Sequence, residues 1–226
     1  SKQWSGTGFY ANVKLEKQGQ KLDYHCIITT CNDIFLEMKR DSNDIVAIFH
    51  HESDEKVFET PLVPFILLTH SRKEVLNYAL IAIDKNEMQA KGVKPILADS
   101  SQLPVVQPYD EVYMIHHPEK MKKNFSQDKA RRVIGPCLVY RANTLEGPPG
   151  SPVFVFKESK FLLVAMHSGP CRIEGVLISD ILDNLHVGKV SRSIPILPSR
   201  RTARAASKLK FRSISAMLSK QRTMSS

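Results

Sequence analysis

The sequence predicts an all-β fold, a barrel or a sandwich, with a basic tail after it. Two observations predict this. Ten apolar runs, rich in β-branched and aromatic residues and each too short for a helix, are separated by turn-like residues. Helical periodicity is scarce along a 226-residue chain that is 42% hydrophobic, enough for one domain of two lobes or for two small domains.

The runs fall in two sets. Phe9–Val13, Cys26–Thr30, Ile45–Phe49, Phe65–Thr69 and Ala79–Ile83 come first. The stretch Lys94–Pro108, with Pro95, Pro104 and Pro108, reads as a connector between two six-stranded lobes, because proline cannot donate to a sheet ladder. Glu111–Ile115, Cys137–Arg141, Val153–Phe156, Phe161–Met166 and Gly175–Ile178 follow. One short helix is predicted over Ser179–Leu185, with Ser179 as N-cap and Ile181, Leu182 and Leu185 on a shared face. The folded domain is therefore expected over 1–188, with lobes at about 1–95 and 105–178.

The charge has a location. The net charge is +9, yet no acidic residue follows Asp183, and ten of the 32 basic residues lie between Lys189 and Arg222. Residues 1–188 are close to neutral, so the basic character belongs to 189–226. That segment is Ser-, Arg-, Lys- and Ala-rich and is expected to be disordered. It offers possible contacts to nucleic acid or another acidic surface through counterion release. Its serines at Arg204-Ala205-Ala206-Ser207 and Arg212-Ser213-Ile214-Ser215 follow basic residues, as phosphorylation sites often do.

Several classes drop out. No stretch approaches the ~20 apolar residues of a membrane helix, and Ser1-Lys2-Gln3-Trp4 carries no secretory core. Four cysteines are too few for a disulfide scaffold, and Cys26 and Cys31 lack the second pair that a zinc site needs. His116 and His117 are adjacent in a strand and point to opposite faces, so they read as structural. No metal and no cofactor are expected, and reduced thiols suggest an intracellular setting, cytoplasmic or nuclear.

The segment with most chemical character is Leu145-Glu146-Gly147-Pro148-Pro149-Gly150-Ser151-Pro152-Val153-Phe154, followed by Phe161-Leu162-Leu163-Val164-Ala165-Met166-His167-Ser168-Gly169. It resembles the nucleophile segment of trypsin-like serine peptidases of the intracellular, HtrA-like kind, where a Gly-x-Ser-Gly-(Ser/Gly)-Pro turn leads into an apolar strand. Gly6-Thr7-Gly8-Phe9, Cys26-Ile27-Ile28-Thr29-Thr30-Cys31-Asn32, Leu76-Asn77-Tyr78-Ala79-Leu80-Ile81 and Val112-Tyr113-Met114-Ile115-His116-His117-Pro118 resemble further family segments in the right order. The resemblance covers roughly residues 5–186. It implies two six-stranded antiparallel β-barrels with a short C-terminal helix.

In that register the family's catalytic His, Asp and Ser fall on Asn32, Asn77 and Pro149. A triad needs a base, a carboxylate that orients it and a hydroxyl. Asn32 does not titrate as a base, Asn77 carries no charge, and Pro149 lacks both a hydroxyl and a backbone N–H, which removes an oxyanion donor as well. The resemblance therefore implies a pseudoprotease with no catalytic residue. Gly147, Gly150 and Ser151 are the remnant of the oxyanion turn, and His167, Ser168 and Gly169 are candidates for the pocket wall. His167 also reads as a half-buried imidazole satisfied by a neighbour. The expected partner is a protein or peptide in the former substrate cleft or at a strand edge. The alternative is a serine-type or unusual Cys/His endopeptidase, using Ser151, His25, Cys31 or Cys137.

Overall fold

The structure is a computed structural model. It describes residues 5–17, 20–30, 45–49, 57–62, 67–71, 76–117, 123–140, 149–168, 174–187 and 209–212. Strands β1 (Ser5–Lys17) and β2 (Gln20–Thr29) form a long antiparallel hairpin, registered from Gly8 opposite Thr29 to Lys17 opposite Gln20. There follow β3 (Ile45–Phe49), β4 (Phe58–Pro61), β5 (Leu67–Ser71), β6 (Tyr78–Ala82), helix α1 (Lys85–Ala90) and β7 (Ile96–Asp99). The second lobe comprises β8 (Glu111–His116), β9 (Asn124–Ile134), β10 (Cys137–Tyr140), β11 (Pro152–Lys157), β12 (Lys160–His167) and β13 (Glu174–Leu177). Helix α2 (Ile178–Val187) and strand β14 (Leu209–Arg212) complete the described elements.

The second lobe is a closed barrel in the order β10-β13-β12-β11-β8-β9. Alternation along its strands sends Val112, Met114, Val153, Val155 and Leu138 into the interior. The intervening residues turn outward. Ile115, Phe154, Leu163 and Met166 join Phe9, Ala11, Val13 and Ile28 of the first lobe, and Ile178, Ile181 and Leu182 of α2, in one core between the lobes. The Tyr78 hydroxyl donates to Asn184 Oδ1 at 2.8 Å and ties α2 to the first lobe.

Of the two closed barrels expected, only the second lobe's is shown closed; the first lobe is not shown closed. Among the described residues it is an eight-stranded sheet, β4-β3-β14-β1-β2-β6-β5, with β7 also paired to β1. Its interior gathers Tyr10, Ile27, Ala47, Phe49, Leu62 and Ile81. Other departures have local causes. The connector holds β7, parallel to β1 from Ala11 opposite Ile96 to Lys14 opposite Asp99, because Ile96 and Ala98 alternate inward around an exposed Leu97. Helix α1 starts at an N-cap, Asp84, whose carboxylate accepts from the Asn86 and Glu87 N–H groups. Helix α2 begins at Ile178, so Ser179 lies inside its first turn rather than at the cap, with its hydroxyl 3.2 Å from Asp180 Oδ2. The tail, expected to be disordered, contributes β14; its remaining residues lie outside the described set.

Candidate functional site

The turn at Pro149–Gly150 is fixed from two sides. Gly150 has φ +90°, and a Cβ there would overlap the Thr7 carbonyl oxygen and meet Thr29 Oγ1 at 3.2 Å, so glycine is required. Its N–H donates to the His167 carbonyl at 2.8 Å, and the His167 N–H donates to the Ser151 carbonyl at 2.8 Å. From the other lobe, the Thr7 N–H donates to the Pro149 carbonyl at 3.3 Å. Thr29 Oγ1 holds the Thr7 carbonyl at 2.9 Å. The Pro149 oxygen thus serves as a structural acceptor between lobes.

Asn77 reaches the same place from β6. It is 6% exposed, sits at φ +50°, and its Nδ2 donates to the Ser168 carbonyl at 3.1 Å. Ser168 is in turn held by Glu174, through its N–H at 3.2 Å and its hydroxyl at 3.4 Å to the Glu174 carbonyl. Two of the three triad-register positions therefore meet on consecutive residues, Pro149–Gly150 through His167 and Asn77 through Ser168. Asn32, the third, lies outside the described residues, as do Gly147 and Gly169.

The neighbouring side chains have settled partners. The Tyr140 hydroxyl bonds His167 Nδ1 at 2.7 Å. Burial, and then the Glu174 charge, push the Tyr140 phenol well above its ordinary range, so it stays protonated. Ser151 is fully buried.

His25 and the thiols do not form a second centre among the described residues. His25 Nδ1 meets the Tyr10 hydroxyl at 2.6 Å, and its Nε2 lies 3.8 Å from Asp23. Burial pushes the Tyr10 phenol up to about 12, and burial, followed by Lys85, lowers the His25 pKa. Cys26, next in the strand, faces the core between the lobes, where burial raises its thiol pKa. Cys26 is a free cysteine, Cys137 lies on β10 of the barrel, and Cys31 lies outside the described residues. His116 Nε2 contacts Ser126 Oγ at 2.8 Å, and burial lowers its pKa. No cluster of three His, Cys, Asp or Glu suited to a metal occurs among the described residues. Two surface cavities, about 520 and about 250 Å³, flank Leu103 and Pro104 and include none of Asn77, Pro149 or His167. The hydrogen-bonded convergence locates the candidate cleft.

Sequence reasoning missed Thr7, Thr29 and Tyr140. Thr7 and Thr29 lie in segments that carry the resemblance, but their link to the Pro149 turn is made across the lobes.

Comparison with known proteins agrees on the fold. No protein-family model matches the chain, and no curated protein sequence matches it. Among solved structures, it is similar to one from work on aromatic interactions in the coupled folding and binding of the disordered Sesbania mosaic virus VPg protein. The TM-score is 0.53 at 13% identity, over 79% of this chain and 82% of that one. It is also similar to Deg5, with a TM-score of 0.50 at 10% identity, over 78% of this chain and 85% of that one. The serine protease domain of the Sesbania mosaic virus polyprotein aligns at a TM-score of 0.47 and 14% identity, over 70% and 79%. The fold is that of chymotrypsin-like serine protease domains. No helix among the described residues is long and apolar enough to cross a membrane.

Proposed function

We propose that this chain is a non-catalytic chymotrypsin-like module that binds an extended protein segment in the cleft between its lobes. The observation that carries the reading is Pro149 at the elbow, with its carbonyl engaged by the Thr7 N–H. A proline there supplies neither hydroxyl nor N–H, so nucleophile and oxyanion donor are lost together. Asn77 supports it: its carboxamide donates to Ser168, where a carboxylate would have no proton to give. Buried Ser151 has no open path to a substrate carbonyl. Asn32 completes the loss in the same register. An inactive cleft keeps its main-chain groups and strand edges, and strand addition requires no chemistry. The free, buried Cys26 suits the intracellular setting that belongs to this proposal.

The test is a display selection for peptides that bind the full chain, followed by mass spectrometry of the bound peptides. The reading expects binding without any new peptide terminus. Cleaved peptides, or selected peptides indifferent to cleft-facing changes, would overturn it.

A further inference from the structure

The two lobes invite an internal comparison. Counted within the second lobe, β8 to β13 are strands one to six, and their order around the barrel is one-two-three-six-five-four, with β11 closing on β8. The first lobe follows the same order if β1, β2, the β3–β4 hairpin, β5 and β6 are taken as strands two to six. The place of strand one, between β1 and β3, is then held by β14, which comes from the far end of the chain.

β14 also runs the other way. In the barrel, strand one is antiparallel to both neighbours. β14 is parallel to both of its own, with Ser5, Gly6 and Thr7 opposite Lys210, Phe211 and Arg212, and with Ile45 to Ile48 opposite Leu209 to Arg212. A slot that holds a strand in the reversed direction reads main-chain hydrogen bonds rather than a covalent hairpin. Its occupant is only four residues long and is joined to α2 through residues 188–208, so releasing it leaves the connectivity of the lobes intact. Left empty, the slot would expose the edges of β1 and β3. Its position also bears on the cleft, since Thr7, opposite Arg212, is the residue that holds the Pro149 carbonyl.

We propose that the slot between β1 and β3 is a strand-acceptor site for extended segments that alternate apolar and basic residues, and that Leu209-Lys210-Phe211-Arg212 is its exchangeable occupant in cis. The site is independent of the cleft reading.

Hydrogen exchange on the full chain tests it. Phe211→Pro removes a ladder donor and is expected to speed exchange at Ser5–Phe9 and Ile45–Phe49 at least ~10-fold, with β8–β13 unchanged, about 1.4 kcal/mol of local opening. A synthetic peptide of residues 205–216 in excess restores the protection, and a scrambled peptide does not. Unchanged exchange in Phe211→Pro, or protection that the peptide fails to restore, overturns the proposal. A second measurement avoids the variant: the same peptide with benzophenone in place of Phe211, irradiated with the intact chain, is expected to cross-link to β1 or β3. Cross-links confined to other elements, or none, refute it.

Discussion

Asn77→Asp would put a carboxylate where the resemblance places the catalytic acid, and the structure gives the change a definite cost. Asp is isosteric with Asn and tolerates the φ of +50° equally well, so the change isolates one donor. Nδ2 now donates to the Ser168 carbonyl at 3.1 Å in a site only 6% exposed. Replacing it sets a carboxylate oxygen against a carbonyl oxygen, and losing a buried hydrogen bond in this way costs about 1–3 kcal/mol. For a chain of this size each kcal/mol moves Tm by about 2–4 °C, so the expected loss at pH 7.5 is about 2–12 °C. The sign with pH follows. Burial beside an acceptor raises the folded pKa of the new carboxyl above its unfolded value of about 3.9. The protonated carboxyl can donate to Ser168, so its stabilising contribution is present below the unfolded pKa and is lost as pH rises through the folded one. Thermal melts of the variant and the parent at pH 4.5 and 7.5 give the readout. A Tm difference that is absent at pH 7.5, or that widens at pH 4.5, refutes the assignment of Asn77 as a structural donor.

Three further outcomes are expected. Gly150→Ala forces a side chain onto the Thr7 carbonyl at φ +90° and should lower stability by about 3 kcal/mol or more in urea titration, from backbone strain and broken inter-lobe bonds. Thr29→Val removes only the 2.9 Å bond to the Thr7 carbonyl and should cost about 0.5–1.5 kcal/mol in the same titration. His116 has a folded pKa below its reference of 6.5 because of burial, so the stability it contributes as neutral imidazole is present above 6.5 and is lost as pH falls through the folded pKa. His116→Gln should therefore flatten the acid limb of a stability–pH profile, and an unchanged slope would count against that role.

The strands that the sequence made legible are those whose alternation meets a core on at least one face. β9 was not legible, because Ala130 is its one buried residue and its polar side chains give no period. β7 hid between prolines, and α1 is too short for periodicity to register, although Asp84 carried its cap signal. β14 depends on pairing with residues 205 positions earlier on β1 and 164 earlier on β3, which no local pattern encodes. The site divides in the same way. Asn77, Gly150, Ser151, His167 and Ser168 stood out by resemblance to family motifs. Thr7, Thr29 and Tyr140 act through bonds between lobes or across the barrel, so their sequence neighbourhoods do not announce those roles.

The central claim, a protease fold without protease chemistry, is tested most directly by a serine-directed fluorophosphonate probe on the purified full chain. No covalent adduct is expected by intact-mass measurement, for the parent and for Ser151→Ala alike. An adduct on the parent that Ser151→Ala abolishes would contradict it.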